Sequence, residues 1–103
     1  MAKFVFLYSG GQMADTPAAQ QEAMEAWGAW FGTLGGAVVD HGNPFGASTT
    51  VLSNGSSKSG GASSIGGYSV INADDLAGAA DLAKGCPVLT GGGTVEVYEA
   101  MPM

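Results

Sequence analysis

The chain has 103 residues, 46% of them hydrophobic and only 12% charged, which describes a single folded domain over residues 1–103 with one modest core. Three Lys or Arg stand against nine Asp or Glu, a formal net charge of −6 that argues against nucleic acid and anionic membrane surfaces as partners. The one cysteine, Cys86, excludes an intrachain disulfide framework and a cysteine-based metal cluster, so the expected setting is a reducing cytoplasm, with no metal and no cofactor assigned.

Taken in order, Phe4-Val5-Phe6-Leu7-Tyr8 is a continuous apolar run stopped by Ser9-Gly10-Gly11, which predicts a buried strand. Alternation puts Phe4, Phe6 and Tyr8 on one face and Val5 and Leu7 on the other. Asp15-Thr16-Pro17 predicts a helix start, with Thr16 as N-cap and Pro17 at the first helical position. Met24, Trp27, Phe31 and Leu34 follow the spacing of one helical face with Trp30 at its edge, and Gly35-Gly36 ends the helix. A second strand is expected over Ala37–His41, broken by Gly42-Asn43-Pro44, and a third, short one over Thr49–Ser53, stopped by the turn dipeptide Asn54-Gly55. Residues 54–64 contain only Asn, Gly, Ser, Lys and Ala, and are expected to form a mobile loop. Lys58 and the Gly/Ser backbone hold the ingredients of a phosphate cradle, but no Gly-rich pattern opens a helix there. Gly66–Ala73 predicts a central strand, followed by Asp74 as N-cap and by Leu76, Ala79, Ala80 and Ala83 at helical spacing. Gly85 and Pro87 close that helix, and Thr94–Glu99 is the last strand.

This order suits an α+β chain with a ferredoxin-like βαββαβ sheet and both helices on one face. Val95 and Val97 are expected with Val5 and Leu7 beneath the helices, leaving Phe4, Phe6, Tyr8, Glu96 and Tyr98 on the helix-free face. An aromatic face of that kind marks an interface or a ligand groove, so a homodimer covering it is expected. Within it, Phe4, Phe6, Tyr8, Ser69 and Tyr98 are the candidate ligand-binding residues. Glu96 is the first candidate catalyst, because a carboxylate among aromatic rings loses water and holds its proton more tightly. The plainer reading of Glu96 is an interface carboxylate bonded to a Tyr hydroxyl or to Ser69. His41 is the second candidate, as the one side chain of the type that titrates near neutrality. Its plainer reading is a strand-end residue bonded to backbone or water. Asp40 and His41 alternate, so at most one of them enters a cavity. Trp27 and Trp30 read as core, and Cys86 lacks the cationic neighbour or helix N-terminus that activates a thiolate.

Gly66-Gly67-Tyr68-Ser69-Val70-Ile71-Asn72-Ala73, the helix running to Ala83-Lys84-Gly85-Cys86-Pro87, and Gly92-Gly93-Thr94-Val95-Glu96-Val97 together resemble the C-terminal half of YCII-related (DGPF-type) domains. The strand Lys3–Tyr8 and the helix carrying Trp27 and Gly35-Gly36, leading to Gly42-Asn43-Pro44, resemble the N-terminal half. The resemblance implies a dimeric α+β barrel, two ferredoxin-like sheets packed face to face around a cavity. The leading expectation is binding of a small apolar or aromatic molecule in that cavity. In an enzyme, cofactor-free lyase- or isomerase-type proton transfer fits the family's barrel best, with Glu96 or His41 as base and Tyr8 or Tyr98 as donor. Some relatives pair a His on the first helix with an Asp after the second strand; here that helix position falls near Glu25 and the helix has no His. The Asp-Gly-Pro-Phe motif is replaced by the Gly/Ser stretch. The rival expectation is a non-catalytic accessory or interaction protein whose sheet face serves only for dimerisation.

Overall fold

The computed structural model describes residues 2–10, 15–61 and 64–102. Gly11 of the first strand's stop signal, and residues 62 and 63 of the expected loop, lie outside the described residues. The chain runs β1 (Ala2–Ser9), α1 (Pro17–Leu34), β2 (Val38–Asp40), β3 (Thr49–Val51), β4 (Ser57–Ser59), β5 (Ile65–Ala73), α2 (Leu76–Ala83) and β6 (Thr94–Ala100). A single 3₁₀ turn follows each helix, Gly35–Ala37 after α1 and Pro87–Leu89 after α2. The architecture is α+β. Four strands form an antiparallel sheet in the order β2-β5-β1-β6, and β3 and β4 pair separately as a two-stranded hairpin. No helix among the described residues is long and apolar enough to cross a membrane.

The two helices start where their caps dictate. Thr16 Oγ1 accepts from the Ala19 N–H at 3.1 Å, with Pro17 at the first helical position. For α2 the cap is Asp75, one residue beyond the expected Asp74; its Oδ1 accepts from the Gly78 N–H at 2.8 Å. Ala79 and Ala83 of α2 are buried, while Leu76 is exposed. On α1 the buried stripe is Trp27, Trp30, Phe31 and Leu34, with Trp30 at its centre and not its edge. Met24, expected in that stripe, is 75% exposed.

Core packing overturns the expected faces of β1. Phe4 and Phe6 are fully buried and Tyr8 nearly so, packed with Trp30, Leu34, Ile71, Ala79 and Ala83 beneath both helices. Val5 and Leu7 lie on the open face, half-buried. The register decides it: Phe6 pairs with Val97 and Tyr8 with Val95, whereas Leu7 pairs with Glu96 and Val5 with Tyr98. Residues directly opposite on neighbouring strands share a face, so the aromatics and the two valines lie together. The energetic reason is area, because burying each Phe ring stabilises by about 1.5–3 kcal/mol relative to leaving it exposed. Helices therefore settle on the aromatic side of β1. The smallest extent of the molecule is 19 Å, that of one helix layer on one sheet, which leaves the second sheet face without a covering layer.

The Gly/Ser stretch also departs from expectation. Residues 57–59 form β4, paired with β3 across the turn at Asn54-Gly55. Asn54 Oδ1 accepts from the Ser56 N–H at 2.9 Å and from its hydroxyl at 2.7 Å, which fixes the turn. A strand ladder needs backbone partners rather than apolar side chains, so composition alone did not exclude it. Thr49 and its neighbours pair within this hairpin and leave the main sheet at four strands.

Behind β2, residues 42–45 are clamped to β5. Phe45 N–H donates to Gly66 O at 2.8 Å and Tyr68 N–H to Asn43 O at 3.3 Å. Gly42 has φ +77°, and a Cβ there would lie 1.6 Å from the Tyr68 carbonyl oxygen. Gly42→Ala is expected to destabilise the fold by roughly 2–4 kcal/mol, through left-handed strain plus displacement of β5. Gly46→Ala, where a Cβ meets nothing within 4 Å, should stay within about 0.5 kcal/mol of the parent. Urea denaturation of the two variants checks both values.

Candidate functional site

The aromatic spacers of α1 and the small residues of α2 set the geometry of a cleft. Ala79 and Ala83 let α2 lie close on the sheet, whereas Trp27, Trp30 and Phe31 hold α1 off it. Past Trp30, towards the N-terminus of α1, the gap is left as a cleft of about 1040 Å³. It is bounded by α1, by the end of β1 at Tyr8, by β5 at Gly67–Ser69, and by the loops at 41–44 and 87–91. That volume is enough for a drug-sized molecule.

At its floor Tyr8 O–H donates to Ser69 Oγ at 2.8 Å, and Ser69 O–H donates to the His41 carbonyl at 2.6 Å. Ser69 is the one buried polar side chain among the described residues, and this chain satisfies it. The Tyr8 ring meets Trp27 edge-on at 5.0 Å between centroids, and the His41 ring meets Phe31 edge-on at 4.8 Å. Burial pushes the Tyr8 phenol up to about 12 against the opposing hydrogen bond to Ser69, so at neutral pH it stays protonated. Burial likewise pushes the Cys86 thiol up to about 11, which makes it a core group and not a nucleophile.

Three of the expected site residues meet in this cleft: Tyr8, Ser69 and His41. His41 stands just past the end of β2, where alternation has lapsed. The carboxylate of Asp40 instead accepts from the Gly42 N–H at 2.8 Å, so His41 is the member of the pair that enters. The other four are elsewhere. Phe4 and Phe6 fill the core and do not line the cleft, because the helices lie on their side of β1. Tyr98 and Glu96 lie on the open face, both exposed. The desolvated carboxylate expected at Glu96 is therefore corrected: its expected aromatic neighbours Phe4 and Phe6 are on the opposite face. Tyr98 O–H donates to Glu96 Oε1 at 3.1 Å, and that bond, with the carboxylate's charge, holds the Tyr98 proton more tightly.

Sequence reasoning missed Trp27 and Phe31 as cleft walls, along with Asp15 and Glu22. A signal for Trp27 existed, since it sits one turn outside Trp30, where the apolar stripe gives way to alanines and acids. Among the described residues no group of three or more His, Cys, Asp or Glu is placed to hold a metal ion. Compared with protein-family models, with curated proteins and with solved structures, the chain matches none.

The raised Tyr8 value carries a pH signature. Stability from keeping the neutral phenol buried is fully present below pH 10, its ordinary value, and is lost as pH rises through about 12. Tyr8→Phe is expected to cost about 1 kcal/mol at pH 7 from the lost hydrogen bond. The gap between variant and parent should narrow as pH climbs past 10. Denaturant titrations at pH 7 and at pH 11 measure both effects.

Proposed function

We propose that this chain is a small-molecule-binding protein whose ligand, an apolar or aromatic compound, sits in the cleft between α1 and the sheet. The observation that carries the reading is the aromatic wall of Trp27 and Phe31 beside the Tyr8–Ser69–His41 hydrogen-bond chain. Tyr8 spends its proton on the fully buried Ser69, so its oxygen is left as an acceptor in a largely apolar site. Binding is favoured over lyase- or isomerase-type proton transfer by the state of the candidate acids and bases. Tyr8 holds its proton to about pH 12, and the neighbouring carboxylate of Asp40 is engaged with the backbone, leaving His41 without a carboxylate to orient it.

The open face supports the second part of the reading, a homodimer. Val5, Leu7 and Val70 lie half-buried there beside exposed Tyr98, with no layer of the described residues over them. The β2-β5-β1-β6 order, with both helices on one face, supports a ferredoxin-like sheet, and pairing two such open faces yields the dimeric α+β barrel of the YCII-related resemblance. A reducing cytoplasm suits the single buried thiol.

The cleft is tested by tryptophan fluorescence, because Trp27 forms its wall. Screening a panel of aromatic fragments should find quenching that Trp27→Ala abolishes. Tyr8→Phe should change the affinity, while Glu96→Gln leaves it unchanged. Quenching that survives Trp27→Ala would place the ligand elsewhere. The dimer is tested by light scattering, where a parent dimer at micromolar concentration should become monomeric in Leu7→Glu. A monomeric parent refutes that part.

A further inference from the structure

The cleft's walls carry a charge pattern that narrows its ligand. The chain has only three Lys and no Arg, and all three Lys lie away from the cleft. Lys3 opens β1 at the end opposite Tyr8, Lys58 is on the hairpin strand β4, and Lys84 pairs with Asp81 at 2.9 Å. Two carboxylates, by contrast, line the cleft. Asp15 stands just before the α1 cap, and Glu22 lies on the α1 surface that also presents Trp27 and Ala19. Lys84–Asp81 is the one ion pair among the described residues, so neither Asp15 nor Glu22 has a cationic partner. The N-terminus of α1 contributes about half a positive charge at this end. Two full negative charges outweigh it.

Resting on the small-molecule reading above, we infer that the cleft selects an organic cation: a compound with an aromatic or compact apolar body and an amine or quaternary ammonium group. The cation faces Asp15 and Glu22, and the body lies against Trp27 and Phe31. Each part of that arrangement has a separate physical cause. An indole face attracts a cation through its quadrupole, most strongly where water is partly excluded. Carboxylates at the mouth raise the local concentration of cations and repel anions. An anionic ligand would meet two like charges and no Lys or Arg, which costs affinity and acts as discrimination. The Tyr8 oxygen, whose proton is already committed to Ser69, accepts an N–H bond from a primary or secondary amine and offers little to a carboxylate.

The test uses three probes sharing one ring: benzyltrimethylammonium, benzyl alcohol and benzoate, each titrated into the full chain and followed by Trp27 fluorescence and by calorimetry. The cation should bind at least about tenfold more tightly than benzoate, and its affinity should fall with added salt. The double variant Asp15→Asn, Glu22→Gln should erase the preference while leaving benzyl alcohol binding unchanged. Equal affinity for all three probes, or a cation preference that survives the double variant, overturns the charge selection and leaves the small-molecule cleft standing. Binding by none of them overturns both.

Discussion

Trp30 is the contact on which the rest of the structure depends. Its ring stacks with Phe6 at 6.1 Å and meets Tyr8 at 6.3 Å, which ties α1 to the middle of the sheet. Its Nε1 donates to the Leu82 carbonyl at 3.1 Å. That carbonyl belongs to the last turn of α2, where a helix has acceptors with no partner inside itself, so one bond satisfies a buried indole and a helix end together. Gly85 completes the arrangement, because a Cβ there would come within 3.2 Å of Trp30 Cδ1. A smaller residue at position 30 would leave a void between both helices and β1, with losses of about 3–5 kcal/mol for a Trp→Ala change.

The cleft follows from this same contact. A helix on alanines lies close to its sheet, and a helix on indoles stands off. Since α1 carries indoles only along its middle and β1 ends at Ser9, the space beyond Trp30 has walls but nothing to fill it. Met24 and Ala23 lie over that space instead of over the core, which is why Met24 is exposed at a position where periodicity puts a core residue. Helical spacing identifies the direction a side chain points. It does not say whether anything lies beneath.

Elements with a local cause were legible in the chain. Thr16-Pro17 begins α1, Gly35 ends it, Asn54-Gly55 turns the hairpin, and the β5–α2–β6 succession stands as expected to within one or two residues. What failed was non-local. Alternation within β1 correctly grouped Phe4, Phe6 and Tyr8, but the relation of that group to Val95 and Val97 depends on the β1–β6 register, which no residue of either strand states. A one-residue difference in phase sends a whole set of side chains to the other face. The same cause explains the site. Tyr8 and Ser69, 61 positions apart, were both picked out as ligand-wall residues, yet on the opposite side of the sheet from where their side chains meet. The cap of α2 falls at Asp75, one residue past the expected Asp74, with Ala79 and Ala83 of the helix buried.

Strand alternation also sets what chemistry the cleft can hold. Tyr8 and Val95 point to the helix side, and Leu7 and Glu96, directly next to them in the ladder, point through the sheet to the other. Glu96 therefore cannot act on a molecule beside Tyr8 without a change of register, and such a change would expose Phe4 and Phe6. The burial of two phenylalanines holds the carboxylate out of the cleft more firmly than any local feature of β6. The ionisable groups available to a bound molecule are then those the helix side supplies, His41 from the end of β2 and Asp15 and Glu22 from the start of α1. One imidazole against an aromatic ring and two carboxylates without cationic partners among the described residues are the polar groups along that cleft. The two sheet faces are thus chemically independent, an apolar one carrying Val5, Leu7 and Val70 and a polar-mouthed, aromatic one carrying Tyr8, and β1 contributes alternate residues to each.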